Sequence, residues 1–314
     1  MKKQTTLGEL EVFDSHTHFF SHNFFSMLAS RSPVLKDTKD PVGELGRATG
    51  LDMPPETVDE FASIWQDELD KNSVAKSILM ASLPGDELSV AKAVELYPDR
   101  FAGAFFFDPI GQNALENATR IFDELNLKLI CLFPAMHHFS VGDNENVKAI
   151  VGLVRDRPGT AMFVHCGSLS VGIRGKIGLP SKFDLRYSNP FEVHKLASEF
   201  PDVNFIIPHF GAGMFRETLM AADLCPNIYL DTSSSNKCVK YEAGGVDLTQ
   251  VFCRTLDVIG GERLLFGTDS SVFPRGWNQE VFENQVRILD EIGISQQTAK
   301  AIFGGNLRRL LESK

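Results

Sequence analysis

The chain has 314 residues, 43% hydrophobic and 23% charged, as in a globular protein with a large core. That excludes disorder, collagen and coiled coil as descriptions of the whole chain. With 31 basic and 41 acidic residues, the net charge of −10 argues against a general nucleic-acid binder and against binding to anionic membranes. A small anionic substrate remains compatible, because a local Arg or Lys can outweigh the mean field.

Taken in order, Lys2 and Lys3 are followed by no apolar stretch, so no signal peptide is expected. The longest apolar runs, such as Phe101–Phe107, fall far short of the ~20 residues that span a bilayer. Short runs rich in Val, Ile, Leu and Phe then alternate with helical patterns, the rhythm of βαβ units. The first run, Glu11–Ser15, is separated from the second, Lys76–Ala81, by about 60 residues. An ordinary connection plus helix needs less than half of that. The interval, about residues 19–75, holds FFSHNFFSMLASRS, a Lys- and Asp-rich turn at Lys36–Pro41, a Pro54-Pro55 break and a predicted helix from about Glu56 to Lys71. It reads as a helical insertion over one end of the fold, too short and mixed to hold its own core.

A helical stretch between Pro84 and Pro98 leads to the strand Phe101–Phe107. Helix Ala114–Leu125 leads to strand Leu127–Phe133, and helix Glu145–Arg155 to strand Ala161–His165. Helix Pro190–Phe200, with Asn189 as N-cap and Pro190 at the first helical position, precedes strand Asn204–Pro208. Helix Met214–Leu224 precedes strand Ile228–Asp231, and helix Leu248–Ile259 precedes strand Leu264–Gly267. Gln279–Ile292, Ser295–Ile302 and Asn306–Glu312 complete the helices.

Several strands are almost uniformly apolar (KSILMA, NFIIP), as in a parallel sheet covered on both faces. Eight such strands with alternating helices predict an α/β fold of the (β/α)8 TIM-barrel type, with a helical insertion after strand one. Residues 1–314 are then a single domain. The alternative is an open doubly wound sheet, whose glycine fingerprint is present only as the fragment Gly211-Ala212-Gly213. The five cysteines are odd in number and form no CxxC. Free thiols in a reducing cytoplasm are expected, rather than disulfides or a cysteine zinc site.

Active sites of such barrels lie at the C-terminal ends of the strands. There strand one carries His16 and His18, two residues apart and able to aim at one point. Strand five ends at His165, strand six at His209 and strand eight at Asp269. Each alone reads equally as a hydrogen-bonded core or rim residue. Their common placement points to a metal site of imidazole and carboxylate donors. Asp14, two residues before His16, is expected on the same face, as a hydrogen-bonding partner behind a ligand. Asp231, ending strand seven, reads either that way or as a carboxylate satisfied by neighbouring hydroxyls.

The motifs FDSHTH, FVHCG, EFPDVNFIIPHFG, NIYLDTSSS, RLLFGTDS and FGGNLRRLL, spread from Phe13 to Leu311, resemble those of the amidohydrolase superfamily. They are most similar to its amidohydrolase 2 branch, which includes aminocarboxymuconate-semialdehyde decarboxylase-like enzymes. The resemblance implies that His16, His18, His165 and Asp269 are metal ligands and that Asp269 and His209 are catalytic. It also implies a metal-dependent enzyme, often a homodimer. Binuclear members carry a carboxylated lysine at the end of strand four. Here Lys128 stands at the start of that run, and Cys131 and Phe133 occupy its end. One divalent metal is therefore expected, zinc first, with manganese, iron or cobalt also suited to the donors.

Substrate contacts are expected from Arg174 in the long loop Gly167–Ser188, from His137 and His138 after strand four, and from Arg275 and Trp277 after strand eight. For each, a solvated or packing role is the alternative. Phe19, Phe20, Phe24 and Phe25 read either as an aromatic wall or as helix packing. Two reactions suit the site. One is hydrolysis of a carbonyl-type substrate, a carboxylic acid or lactone, by activated water. The alternative is non-oxidative decarboxylation of an aromatic or muconate-like acid. A metal-stabilised scaffold without activity is the third reading.

Overall fold

The computed structural model describes residues 1–233, 239–242 and 244–313. Motif residues Ser234 and Ser235, and Cys238, expected as a free thiol, lie outside the described residues. Every predicted strand forms. An N-terminal hairpin, β1 (Lys3–Thr5) and β2 (Gly8–Leu10), precedes them, turning through Gly8 at φ 95°. The eight parallel strands are β3 (Val12–His18), β4 (Val74–Ala81), β5 (Phe101–Phe107), β6 (Leu129–Leu132), β7 (Ala161–Val164), β8 (Phe205–Ile207), β9 (Ile228–Asp231) and β10 (Leu264–Leu265). They pair in sequence order. Closure of β10 onto β3 comes from Ser15 N–H on Phe266 O (2.9 Å), His18 N–H on Ser270 O (2.7 Å) and Asp269 N–H on His16 O (3.0 Å). The result is the TIM barrel expected.

The uniformly apolar strands are explained by two layers. In β5, Ala102, Ala104 and Phe106 fill the barrel interior, while Phe101, Phe105 and Phe107 pack outward under the helices. Gly103 faces outward too, where an added Cβ would come within 2.3 Å of Leu127. Both faces being dry, alternation disappears from the sequence.

The segment after β3 holds helices α1 (His22–Ser30), α2 (Pro41–Thr49) and α3 (Val58–Lys71). The last starts at Val58 because Thr57 caps it, accepting the Glu60 amide. Its Phe61, Ala62, Trp65 and Leu69 join the outer layer, so α3 is an ordinary barrel helix rather than part of the surplus. The insertion also holds more core than expected. Phe24, Phe25, Leu28, Leu35 and Leu45 form a small apolar cluster, completed by Leu83 and Ile177 from barrel loops. Those loops supply the apolar surface the insertion lacks on its own. No helix among the described residues is long and apolar enough to cross a membrane.

Candidate metal centre

The pairing of β3 with β4 shifts between Asp14 and Thr17, where one extra residue is accommodated. This bulge separates what simple alternation would unite. His16 packs its ring on Phe163 of the barrel interior, 5.1 Å between centroids. Asp14 instead accepts the Trp277 indole N–H (2.8 Å), the amides of His16 (2.9 Å) and Thr268 (3.1 Å), and the Thr268 hydroxyl. Two expectations are thereby corrected. Asp14 does not share a face with the histidines, and it braces backbone rather than an imidazole. Trp277 is buried with its only polar group bonded to Asp14, so it is no substrate contact. Burial pushes the Asp14 carboxyl up to about 6, against the pull of those hydrogen bonds.

The histidines are oriented through their Nδ1 atoms. His16 Nδ1 lies 3.0 Å from Asp231 Oδ2 and 2.9 Å from Ser233 Oγ. His18 Nδ1 lies 2.6 Å from Ser82 Oγ, whose own proton goes to Met80 O. His209 Nδ1 lies 3.0 Å from the Ser233 carbonyl oxygen. Each Nδ1 faces an acceptor, so the lone pair of the neutral ring sits on Nε2. His165 is the opposite case. Its Nδ1 is buried without a hydrogen-bond partner among the described residues, while its ring stacks on Phe133 (5.2 Å) and meets His209 (5.3 Å). A buried polar atom of this kind calls for a partner.

Asp269 completes the group. Its Oδ1 is 3.2 Å from His18 Nε2 and 3.8 Å from His16 Nε2. Asp269 and His209 both take φ of 57°, a left-handed conformation costing non-glycine residues of order 1–3 kcal/mol. For Asp269 it is held by the amide bond to His16 O.

Burial favours the neutral carboxyl of Asp269. The adjacent imidazoles of His18, His16 and His209 outweigh it and hold the group far below the carboxylate range. Burial lowers His18 and His209, and lowers His165 strongly, which favours the neutral, metal-binding form of these rings. For His16 burial also acts downward, but Asp231, Asp269 and Asp14 together raise it. The site thus draws positive charge to His16 Nε2, where a proton and a metal ion compete. Neutral imidazole lone pairs, an ionised carboxylate and the orphaned His165 Nδ1 fit a divalent cation. Ligand atoms of His16, His18 and Asp269 lie within 4.8 Å of one another. Cys131 does not fit: it lies among apolar side chains inside the barrel, where burial keeps its thiol protonated.

These residues floor a cleft of about 670 Å³. Two aromatic stacks rise from it. His18 leads to Phe20 (5.1 Å) and Phe24 (4.3 Å), and His165 leads to Phe133 (5.2 Å) and Phe106 (3.9 Å). Phe19 and Phe25 pack into the core instead. Arg174 and Lys240 also line the cleft. Arg174 donates Nε and Nη2 to Pro180 O. Among the described lining residues, Arg174 is the sole member of the predicted substrate contacts. His137 stands edge-on behind Phe106 (5.6 Å), and His138 is exposed with a ring nitrogen 2.6 Å from Lys182 O. Arg275 is exposed and donates to Asp269 O and Ser271 Oγ, bracing the loop. Sequence reasoning missed Ser82, Ser233, Phe106 and Phe133. Ser82 immediately follows the end of β4 and Ser233 comes two residues after β9, within the NIYLDTSSS motif, which are the local signals they carry.

An amidohydrolase family model matches residues 13–312. A 2-keto-4-carboxy-3-hexenedioate hydratase of Sphingobium sp. is 31% identical over 131 residues, covering 37% of this chain. The match spans 35% of the hydratase's own length. The 5-carboxyvanillate decarboxylase of Novosphingobium aromaticivorans, solved with manganese and a nitrobenzoic acid, has a TM-score of 0.63 at 15% identity and covers 99% of each chain. A zinc-bound amidohydrolase of Burkholderia multivorans has a TM-score of 0.59 at 14% identity, covering 97% of this chain and 100% of its own. At such identities the two structures speak for the barrel alone. The family match over nearly all of the sequence makes this chain a member of the amidohydrolase 2 family.

Proposed function

We propose that the chain is a mononuclear metal-dependent hydrolase acting on a small anionic substrate, a carboxylic acid or lactone. One observation carries the reading: imidazole lone pairs and an ionised carboxylate converge at the floor of an aromatic-walled cleft. His16 and His18 through Nε2, His165 through Nδ1 and Asp269 through its carboxylate would hold the cation. Zinc is our first assignment, and manganese, iron or cobalt suit the same donors. When bound, the cation supplies Lewis-acid polarisation of a carbonyl and acidifies water.

The protein's own groups do the rest. Asp269, held ionised by its neighbours, takes the proton of the attacking water and returns it to the leaving oxygen or nitrogen. His209 presents Nε2 as an acceptor and orients that water or a substrate hydroxyl. Arg174, with Lys240 on the same wall, attracts a substrate carboxylate. Phe20, Phe24, Phe106 and Phe133 favour a planar, unsaturated substrate body and exclude water.

The same apolar walls favour a second reading, non-oxidative decarboxylation. A carboxylate stripped of water between aromatic rings loses the hydration that stabilises it. The C–C bond then breaks, CO2 leaves, and the electron pair on carbon takes a proton from a protonated side chain. Incubation of the metal-loaded protein with lactones, hydroxybenzoates and muconate-like acids separates the two. Lactone opening without CO2 release supports hydrolysis. CO2 from an acid overturns it in favour of decarboxylation, and inertness at full metal occupancy leaves the scaffold reading.

We read residues 1–314 as one domain, supported by the apolar cluster that the insertion shares with barrel loops. A reducing cytoplasm is supported by the free thiols of Cys131, Cys166, Cys225 and Cys253. A homodimer is the expected assembly, to be checked by light scattering.

A further inference from the structure

Ser233 stands two residues after the end of β9 and touches both functional halves of the centre. Its hydroxyl oxygen is 2.9 Å from His16 Nδ1 and also 2.9 Å from His209 Nδ1. Its carbonyl oxygen lies 3.0 Å from His209 Nδ1, and its amide donates to Asp231 Oδ1. Asp231 Oδ2 in turn faces His16 Nδ1 at 3.0 Å. One residue therefore meets two imidazoles with its side chain, and one of them again and Asp231 with its backbone.

The chemistry of these contacts is asymmetric. A carbonyl oxygen only accepts, so the His209 contact requires its proton on Nδ1. The carboxylate likewise requires the His16 proton on Nδ1. The hydroxyl accepts from both rings and ties the plane of one to the plane of the other, 5.0 Å apart between centroids. Ser233 is fully buried. Gly267 on the adjoining segment packs so close that an added Cβ would sit 3.0 Å from Ser233 Cβ. Larger residues at 267 would push the serine out of this position.

We propose that Ser233 is a positioning residue that sets the tautomers and ring planes of His16 and His209 jointly, linking retention of the metal ion to the orientation of the strand-six histidine. The inference rests on the metal-site reading above but not on which reaction the site performs. His209 is thereby assigned as a hydrogen-bond acceptor at Nε2 in its neutral form, not as a neutral proton donor.

The test uses the full-length protein loaded with zinc. Chelator competition measures zinc affinity for wild type, Ser233→Ala and Ser233→Thr, with thermal unfolding as a check on folding. Removing an outer hydrogen-bond partner of a ligand typically costs roughly 10- to 100-fold in affinity. We expect a loss of that order in Ser233→Ala and substantial recovery in Ser233→Thr, which keeps the hydroxyl. Equal affinity for alanine and wild type, or equal loss in alanine and threonine, overturns the proposal. If Ser233→Ala does not fold, the wild type decides through 15N spectra of labelled histidine. The proposal requires His209 as the Nδ1–H tautomer, and an Nε2–H resonance for that ring overturns it. Absence of zinc binding by a folded wild type, in contrast, defeats the metal-site reading itself.

Discussion

Asp231 holds His16 from behind: Oδ2 stands 3.0 Å from Nδ1 in a pair almost wholly closed to solvent. Burial opposes the charge on Asp231, but the His16 charge and hydrogen bond, with help from His209 and Ser233, keep the carboxyl below its ordinary range. An ionised partner of this kind increases the basicity of the opposite ring nitrogen. Asp231→Asn should therefore weaken metal binding by roughly 10- to 100-fold with the fold intact. Chelator competition beside a circular dichroism spectrum checks this, and unchanged affinity would show that the pair is structural only.

His165 couples metal binding to a stability cost. Its buried Nδ1 lacks a hydrogen-bond partner among the described residues, a situation that costs about 1–3 kcal/mol. His165→Phe removes that atom in favour of a ring beside Phe133. The variant should lose stoichiometric metal while its metal-free form is at least as stable as the metal-free wild type. Urea unfolding of both proteins with chelator present, and elemental analysis without it, give the two readouts.

Trp277 should matter for stability more than for substrate binding. Trp277→Phe removes the indole donor to buried Asp14, at a cost of about 1–3 kcal/mol. A drop in Tm with KM unchanged is the expected pattern. A raised KM with unchanged Tm would restore it to the substrate wall.

Asp86 supplies a pH test away from the centre. It accepts from Ser21, Asn23 and Ser89, anchoring the start of α1. Burial raises its pKa, and those hydrogen bonds only partly counter it. A carboxyl raised in the folded state contributes stability that is present below its unfolded value near 3.8 and lost as pH rises through the folded value. The stability of wild type relative to Asp86→Asn should therefore be greater at pH 4 than at pH 7. Urea unfolding of both at the two pH values reads this difference. A gap that widens with pH would contradict the assignment.

Phe20 tests the aromatic wall. Its ring stacks on His18 and Phe24, so Phe20→Ala removes stacking worth about 0.5–1.5 kcal/mol to a planar substrate. KM should rise by up to about tenfold with metal content unchanged. Loss of metal instead would mean that Phe20 supports His18 rather than the substrate.

The sequence by itself determined the barrel and the end of it that carries chemistry. Strand and helix periods are local, and apolar runs terminated by His18, His165, His209 and Asp269 mark positions that no later packing can move. Tertiary structure alone decided which atoms of those residues are available. The bulge after Asp14 depends on the pairing of β3 with β4, and it takes Asp14 off the face of the histidines, where the Trp277 indole bonds to it. The acceptors that select each tautomer come from far along the chain, Ser82 from 64 residues beyond His18 and Ser233 from 217 residues beyond His16. The two aromatic stacks likewise join rings from different strands and from the insertion. Such partners are fixed by closure of the barrel, because hydrogen bonds and ring contacts act over a few ångströms while periodicity records only a residue's immediate neighbours.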